Sequence, residues 1–261
     1  MNYLALFLSV VALSTSTSSC SFSFSSSDSD HKGVCKSCKA VTMSGVDSTV
    51  VYGDIKADYE SIDVSGVFRV RYSDTVSSVT LKADRSLIPY IRICPDGDEL
   101  EISIRLNSGK GIRTPEVLIP VSSRSIRSID MSGATSFVSD VVMQGSELSL
   151  DLSGASKVKM DVKVGILEVD VSGAGKLELA GEAEHARIDC SGAAVIKGRD
   201  EACLKAGSAE LDCSGAVKIE DLSGGRLYGE LSGASRLKVS NGSDISGISC
   251  YGASKVTVKS N

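Results

Sequence analysis

Asp151-Leu152-Ser153-Gly154-Ala155-Ser156-Lys157-Val158-Lys159-Met160 is one copy of a phrase that recurs to the end of the chain. Close variants begin at Asp130 (DMSGATSFV), Asp170 (DVSGAGKLEL), Asp189 (DCSGAAVIK), Asp212 (DCSGAVKIE), Glu230 (ELSGASRLKV) and Ser249 (SCYGASKVTV). Their glycines, Gly133, Gly154, Gly173, Gly192, Gly215, Gly233 and Gly252, lie 21, 19, 19, 23, 18 and 19 residues apart. A period of roughly 20 residues signals a solenoid. On both sides of the glycine, apolar and polar residues alternate: Leu150, Leu152, Val158 and Met160 fall on one parity, Ser149, Asp151, Ser153 and Lys159 on the other. That is the period of a strand with one buried face; a helix needs apolar residues three and four apart, and no copy has them. Ser-Gly-Ala between the strands reads as a corner, where glycine takes a positive φ and serine bonds nearby backbone.

At about 3.3 Å per residue, 20 residues trace a path of roughly 65 Å, enough for one coil that returns above its start. The expected fold is all-β: a parallel β-helix, or solenoid, with roughly 20-residue rungs stacked about 4.8 Å apart. Leucine-rich repeats require an asparagine column that is missing here, and calcium-binding nonapeptide rolls have a shorter period and paired glycines.

Working back from the repeat, Ser61-Ile62-Asp63-Val64-Ser65-Gly66-Val67-Phe68-Arg69 is an eighth, early copy. Alternating runs follow at Val79–Ala83 and Leu100–Leu106, separated by the turn signal Pro95-Asp96-Gly97-Asp98. Asp84–Tyr90 reads as a crossing segment with one helical turn ended before Pro89, and Asn107–Gly111 as a loop. The prolines of Pro115–Val121 predict an edge strand or a rung corner, because proline gives no ladder hydrogen bond. The domain is expected to span 46–261, with irregular rungs over 46–125 and regular ones over 126–261.

The first residues, 1–19, carry an eleven-residue apolar run from Tyr3 to Leu13, too short to span a bilayer and read as a signal peptide. No Lys or Arg precedes it. Thr17-Ser18-Ser19-Cys20 resembles a bacterial lipoprotein processing site, which makes Cys20 the candidate for lipidation and for a membrane tether. Residues 20–45, rich in serine with Asp28 and Asp30 among them, read as a flexible spacer that cannot bury enough apolar surface to fold. Cys35-Lys36-Ser37-Cys38 has no second cysteine pair or paired histidines to complete a zinc site. Cys190, Cys213 and Cys250 sit in the column filled elsewhere by Met131, Leu152, Val171 and Leu231, so they read as buried core positions. A Cys190–Cys213 disulfide is within reach across neighbouring coils.

The order VYGDI at 51–55, IDVSGVFRV at 62–70, LIPYI at 87–91, DELEI at 98–102, PEVLIPV at 115–121 and then repeated SGA corners resembles the head GIN domain family of putative autotransporter adhesins. The resemblance covers roughly Val46 to Val258. It implies a right-handed β-helical envelope protein of the kind found in Bacteroidetes, and carries over no catalytic or binding residues.

Among groups that could do chemistry, the acids before each corner come first: Asp63, Asp130, Asp151, Asp170, Asp189, Asp212 and Glu230. Stacked about 4.8 Å apart, neighbouring carboxylates repel by roughly 1–4 kcal/mol depending on dielectric. One reading makes Asp130, Asp151, Asp170, Asp189 and Asp212 weak calcium sites. The other has them bonded to corner amides and serines and helped by the basic column Arg69, Lys157, Lys176, Arg236 and Lys255. The structural reading is favoured. An acid pair for glycoside cleavage needs two carboxylates in unlike environments, whereas these recur identically on every rung. The histidines, His31 and His185, lie near no nucleophile motif, and Ser132, Ser153, Ser172, Ser191, Ser214 and Ser232 read as corner-bonding hydroxyls. With no tryptophan, Tyr228 and Tyr251 are the only aromatic candidates in the repeats for a sugar platform.

A net charge of −5 argues against nucleic acid, whose binding rests on basic contacts to phosphate. The sequence therefore predicts an exported, non-enzymatic envelope protein at the outer membrane, cell surface or periplasm. It would need no cofactor and present a surface to an unidentified glycan or protein. The alternatives are a scaffold that self-associates through open coil ends, making a homo-oligomer, and, behind it, a carbohydrate-active enzyme.

Overall fold

The computed structural model describes residues 40–44, 47–105, 113–200 and 202–259. The expected signal peptide over residues 1–19, Cys20, His31, the Cys35/Cys38 pair and the expected 107–111 loop lie outside the described residues.

The repeats form the expected parallel β-helix. Strands Ser136–Gly154, Lys157–Gly173 and Lys176–Gly192 each run most of the way round a coil. They pair in parallel with Asp151 beside Asp170 beside Asp189, and Gly154 beside Gly173 beside Gly192. Leu204–Gly215, Lys218–Leu231 and Asp244–Cys250 carry the same files upward. Ala155, Ala174 and Ala193 stand directly over one another: their amides donate to the carbonyls of Gly133, Gly154 and Gly173 on the coil beneath, each at 2.8 Å. Like residues thus lie over like, the arrangement on which the sequence reading depends.

Alternation turns one parity into the core. The column Leu150, Val169, Ile188 and Leu211 is at most 2% exposed. Each such side chain contributes up to about 1.5–3 kcal/mol of burial, an upper bound because the unfolded chain already hides some apolar surface. Glycine is fixed at the corner for two reasons. Gly173 has φ +136°, and a Cβ there would stand 2.5 Å from the carbonyl oxygen of Gly154. Gly154 and Gly192 meet the same obstacle from the coil beneath, so this corner is a file of glycines because backbone packs on backbone.

Below the repeats, order in space departs from order in sequence. Ser61–Gly66 pairs in parallel with Ser128–Gly133 on one side and with Glu99–Ile104 on the other. The early copy is therefore in register, with Asp63 beside Asp130 and Gly66 beside Gly133, but the chain between them leaves the stack to build its floor. That floor is largely antiparallel: Ala40–Ser44 on Asp47–Tyr52, Asp47–Tyr52 on Val79–Asp84, Val79–Asp84 on Glu116–Pro120, and Ile91–Asp96 on Glu99–Ile104. The stretch expected to hold irregular rungs thus contains few, and strand structure reaches back to Ala40, inside the expected spacer.

Two local expectations need correction. Glu116–Pro120 is a central strand, parallel to Arg69–Ser73 and antiparallel to Val79–Asp84. Its prolines sit at the ends, where a missing N–H costs little, and the Pro115 carbonyl still accepts from the Arg69 amide at 2.9 Å. The helical turn is a 3-10 turn, Ile88–Tyr90, that contains Pro89 rather than stopping before it; proline is tolerated at the first positions of a helix. The turn signal at 95–98 holds: Asp96 pairs with Glu99, and Gly97 has φ +63°.

Ile55, Tyr59, Leu87 and Ile93 plug the floor, and the Tyr59 hydroxyl donates to the Pro120 carbonyl at 2.6 Å. The other end is open. Among the described residues, Asp244–Cys250 pairs only with Lys218–Leu231, and Lys255–Val258 only with Arg236–Val239.

Candidate functional site

The stacked corners divide the rod's flank into two faces of opposite sign. Before the corner stands the acid file, Asp63, Asp130, Asp151, Asp170, Asp189, Asp212 and Glu230, extended at its foot by Glu101 beside Asp63. After it stands the basic file, Arg69, Ser136, Lys157, Lys176, Val195, Lys218, Arg236 and Lys255. The sequence reading found both and missed Lys218.

The two files do not neutralise each other as expected. Among the described residues, no ion pair joins Asp151, Asp170, Asp189 or Asp212 to a cation. Asp130 accepts from the Ser128 hydroxyl at 2.5 Å. Partial burial, and after it the charges of Asp170 and Asp130, push the Asp151 carboxyl up; burial and then Asp170 and Asp212 do the same to Asp189. At the foot, burial and then Asp130 and Glu101 raise Asp63. Burial leads in all three, and the neighbouring carboxylates add to it.

Lys176 and Lys218 of the basic file pair with acids of their own face. Glu178 is a hub, 3.3 Å from both Lys176 and Lys197 and 4.0 Å from Lys159. Burial works against its charged form, but hydrogen bonds from Lys197 and Lys176 prevail and hold its carboxyl below the usual range. Lys159 reaches Asp200 at 3.1 Å, Lys218 reaches Glu220 at 3.1 Å, and Arg71 reaches Asp140 at 2.6 Å. The basic face is laced with salt bridges, whereas the acid file is paired only at its foot among the described residues, where Arg92 stands 3.4 Å from Glu101.

Hydroxyls on both sides of Gly-Ala bond the corner: Ser153 and Ser232, before the glycine, donate to the Met131 and Cys213 carbonyls of the coil beneath, each at 3.4 Å, and the residue after the alanine closes its own turn. Buried Ser156 donates to the Ser153 carbonyl at 3.0 Å and Ser235 to that of Ser232 at 2.8 Å, and Thr135 does the same with Ser132 at 3.2 Å. Ser172, Ser191 and Ser214 are exposed. The residue after Ser-Gly-Ala is tucked under the corner, where a hydroxyl can close the turn, whereas the serine before the glycine is half-buried at Ser153 and Ser232 and exposed on the three corners between them.

Among the described residues no three of His, Cys, Asp or Glu converge to hold a metal ion. Cys190 lies beside Cys213 as expected, and both are free thiols. The hydrogen bond between them, together with burial, pushes the Cys190 thiol up. Cys250 shares their column but is exposed, because it lies on the last rung. His185 is 2.8 Å through Nδ1 from the Ser208 hydroxyl on the next coil, a contact that stacking creates and sequence spacing hides. Both lie on an open flank, and no acid stands within ion-pair distance of the ring among the described residues. Tyr228 has the Arg226 guanidinium 5.7 Å over its ring, and Tyr251 is 56% exposed at the open end. A hollow of about 570 Å³ is an open groove along a second corner lined by Lys163, Gly165, Glu182, Lys205 and Gly207. No helix among the described residues is long and apolar enough to cross a membrane.

The sequence profile described as "putative auto-transporter adhesin, head GIN domain" matches residues 58–243. No curated protein matches the chain. Among solved structures, a putative adhesin from Bacteroides fragilis superposes with a TM-score of 0.67 at 17% identity, over 82% of this chain and 97% of that one. One from Parabacteroides merdae gives 0.64 at 17%, over 83% and 97%. A putative lipid binding protein from Parabacteroides distasonis gives 0.56 at 15%, over 83% and 98%. At these identities the likeness speaks to the fold alone.

Proposed function

Since the chain belongs to the putative auto-transporter adhesin, head GIN domain family, we propose that it is a non-enzymatic envelope adhesin that presents the flank of its β-helix outside the cytoplasm. One observation carries this reading: polar side chains repeat in files along the rod, and among the described residues the best-formed hollow is an open groove. Repetition at about 4.8 Å suits a repeating partner, a glycan chain or an extended protein, that can engage several rungs at once. The interior is solid, with Leu150, Ile188 and Leu211 fully buried, so the rod itself gives no support to lipid carriage of the kind named for the Parabacteroides distasonis relative. Export and a lipid on Cys20 would place the rod at the outer membrane, cell surface or periplasm.

The reading is tested on arrays of glycans and extracellular proteins. Saturable binding that weakens when Asp151, Asp170 and Asp189 become asparagine together is the expected result. Turnover of an arrayed glycan would overturn the non-enzymatic reading. For the anchor, Cys20→Ser is expected to move the protein from the membrane fraction to the soluble one.

A further inference from the structure

The two ends of the rod differ in what they leave uncovered. At the floor, antiparallel strands and the buried side chains Ile55, Tyr59 and Leu87 close the coil. At the top, the last described rung repeats the core pattern, and no described strand lies above it. Leu231, Leu237 and Val239 are at most 1% exposed, yet Cys250 and Val258, one rung higher in the columns of Leu231 and Val239, are exposed, Val258 at 41%. Tyr251 adds an exposed ring at the same corner. The backbone is uncovered too. The amides of Lys255 and Lys259 donate down to Ser235 and Val239, and strand geometry alternates, so the amides of Val256 and Val258 point to the open edge.

Such an edge is a template for another strand, and charge selects which one. The strand Asp244–Cys250 continues the acid face, with Glu230 one rung beneath Ser249; the strand Lys255–Val258 continues the basic face, with Arg236 beneath Lys255. We propose that the open rung binds a second copy of this chain, tail to tail, about a two-fold axis through the corner at 251–254. That axis lays the acid-face strand of one copy antiparallel along the basic-face strand of the other and brings Glu230 towards the partner's Lys255. A two-fold through the middle of either face would set like charges together. Head-to-tail growth would set the open rung against a floor whose core Ile55, Tyr59 and Leu87 already cover, whereas the tail-to-tail contact is isologous and stops at the dimer. The chain enters the described structure at Ala40, in the floor, which leaves the joined ends farthest from any tether on the N-terminal segment.

Sedimentation velocity of the purified protein over a wide concentration range tests this. A monomer–dimer equilibrium with no larger species is expected. Val258→Pro removes only an outward amide and should leave the protein monomeric with its melting temperature nearly unchanged. Lys255→Glu should weaken the dimer at least about fivefold, and adding Glu230→Lys should restore it, while Lys157→Glu at mid-rod should do nothing. A protein monomeric throughout, growth into longer assemblies, or equal effects of Lys157→Glu and Lys255→Glu would each overturn the proposal. So would a dimer unaffected by Val258→Pro.

Discussion

From Ser128 upward the chain climbs by repetition, its rungs stacked in parallel. Below that residue the same alternation of apolar and polar residues yields antiparallel strands that close the end of the coil. Both regions are strand and both bury one face, so alternation does not separate them. The corner does. In the stack, every rung turns through a glycine pressed against the backbone of its neighbour; in the floor, Gly97 turns a hairpin with nothing within 4 Å of where a Cβ would stand. In the stack, glycine is demanded by the neighbouring rung, and in the floor by its own φ alone.

The sharpest way to break that comparison is to add one methyl group in each region. Gly173→Ala meets both a positive φ and the Gly154 carbonyl, which cannot retreat without moving its rung. We expect it to lower stability by about 2–5 kcal/mol. Gly97→Ala carries only the backbone strain, about 1 kcal/mol. Urea denaturation measures both, and equal losses would mean that glycines do not stack on glycines.

Next in size is the buried corner hydroxyl. Ser156→Ala should cost about 1–2 kcal/mol by leaving the Ser153 carbonyl short of a partner, whereas Ser172→Ala, exposed on the next corner, should stay within about 0.5 kcal/mol of the parent.

A smaller effect separates the two faces within the stack, and here the sign is the test. Asp170→Asn removes a charge repelled from above and below and should stabilise by a few tenths of a kcal/mol, about 0.2–0.5 after solvent screening. Glu178→Gln removes the acceptor shared by Lys176 and Lys197 and should destabilise by up to about 1 kcal/mol.

The smallest effect is in pH. Asp63, Asp151 and Asp189 are raised in the folded state, so stability is greatest where they are protonated and is lost as pH rises through their folded values. Glu178 is lowered, so its contribution is present above the unfolded value and disappears as pH falls through the folded one. Melting curves of the parent and of Asp151→Asn/Asp189→Asn should differ at neutral pH and converge in the acidic carboxylate range. A gap that widens on acidification would contradict the repelling file.

The stack was legible because its physics is local and repeated. Side chains that must lie over one another stand at a constant offset from a glycine, so the acid file, the cysteine column and the alanine file could be read directly. The lysine hub was legible by the same rule and was passed over: Lys159, Glu178 and Lys197 all fall five residues after a corner glycine. The floor was not. Ser61–Gly66 and Ser128–Gly133 are neighbours across a long excursion, and nothing in a strand's own alternation states whether its partner runs parallel or antiparallel. Prolines misled at Glu116–Pro120 because they mark strand ends as readily as sheet edges. The open end was foreseen in general but not located, since only pairing shows which end is closed.

The most direct test of the stacked corners is a pair of spin-label distances in a background with accessible cysteines replaced by serine. The basic file places Lys157 and Lys255 five rungs apart and Arg69 and Lys255 seven apart. At about 4.8 Å per rung the separations in the monomer should centre near 24 and 34 Å. Two narrow distributions offset by about 10 Å are the predicted result; equal distances, or a spread without a peak, would contradict the stack.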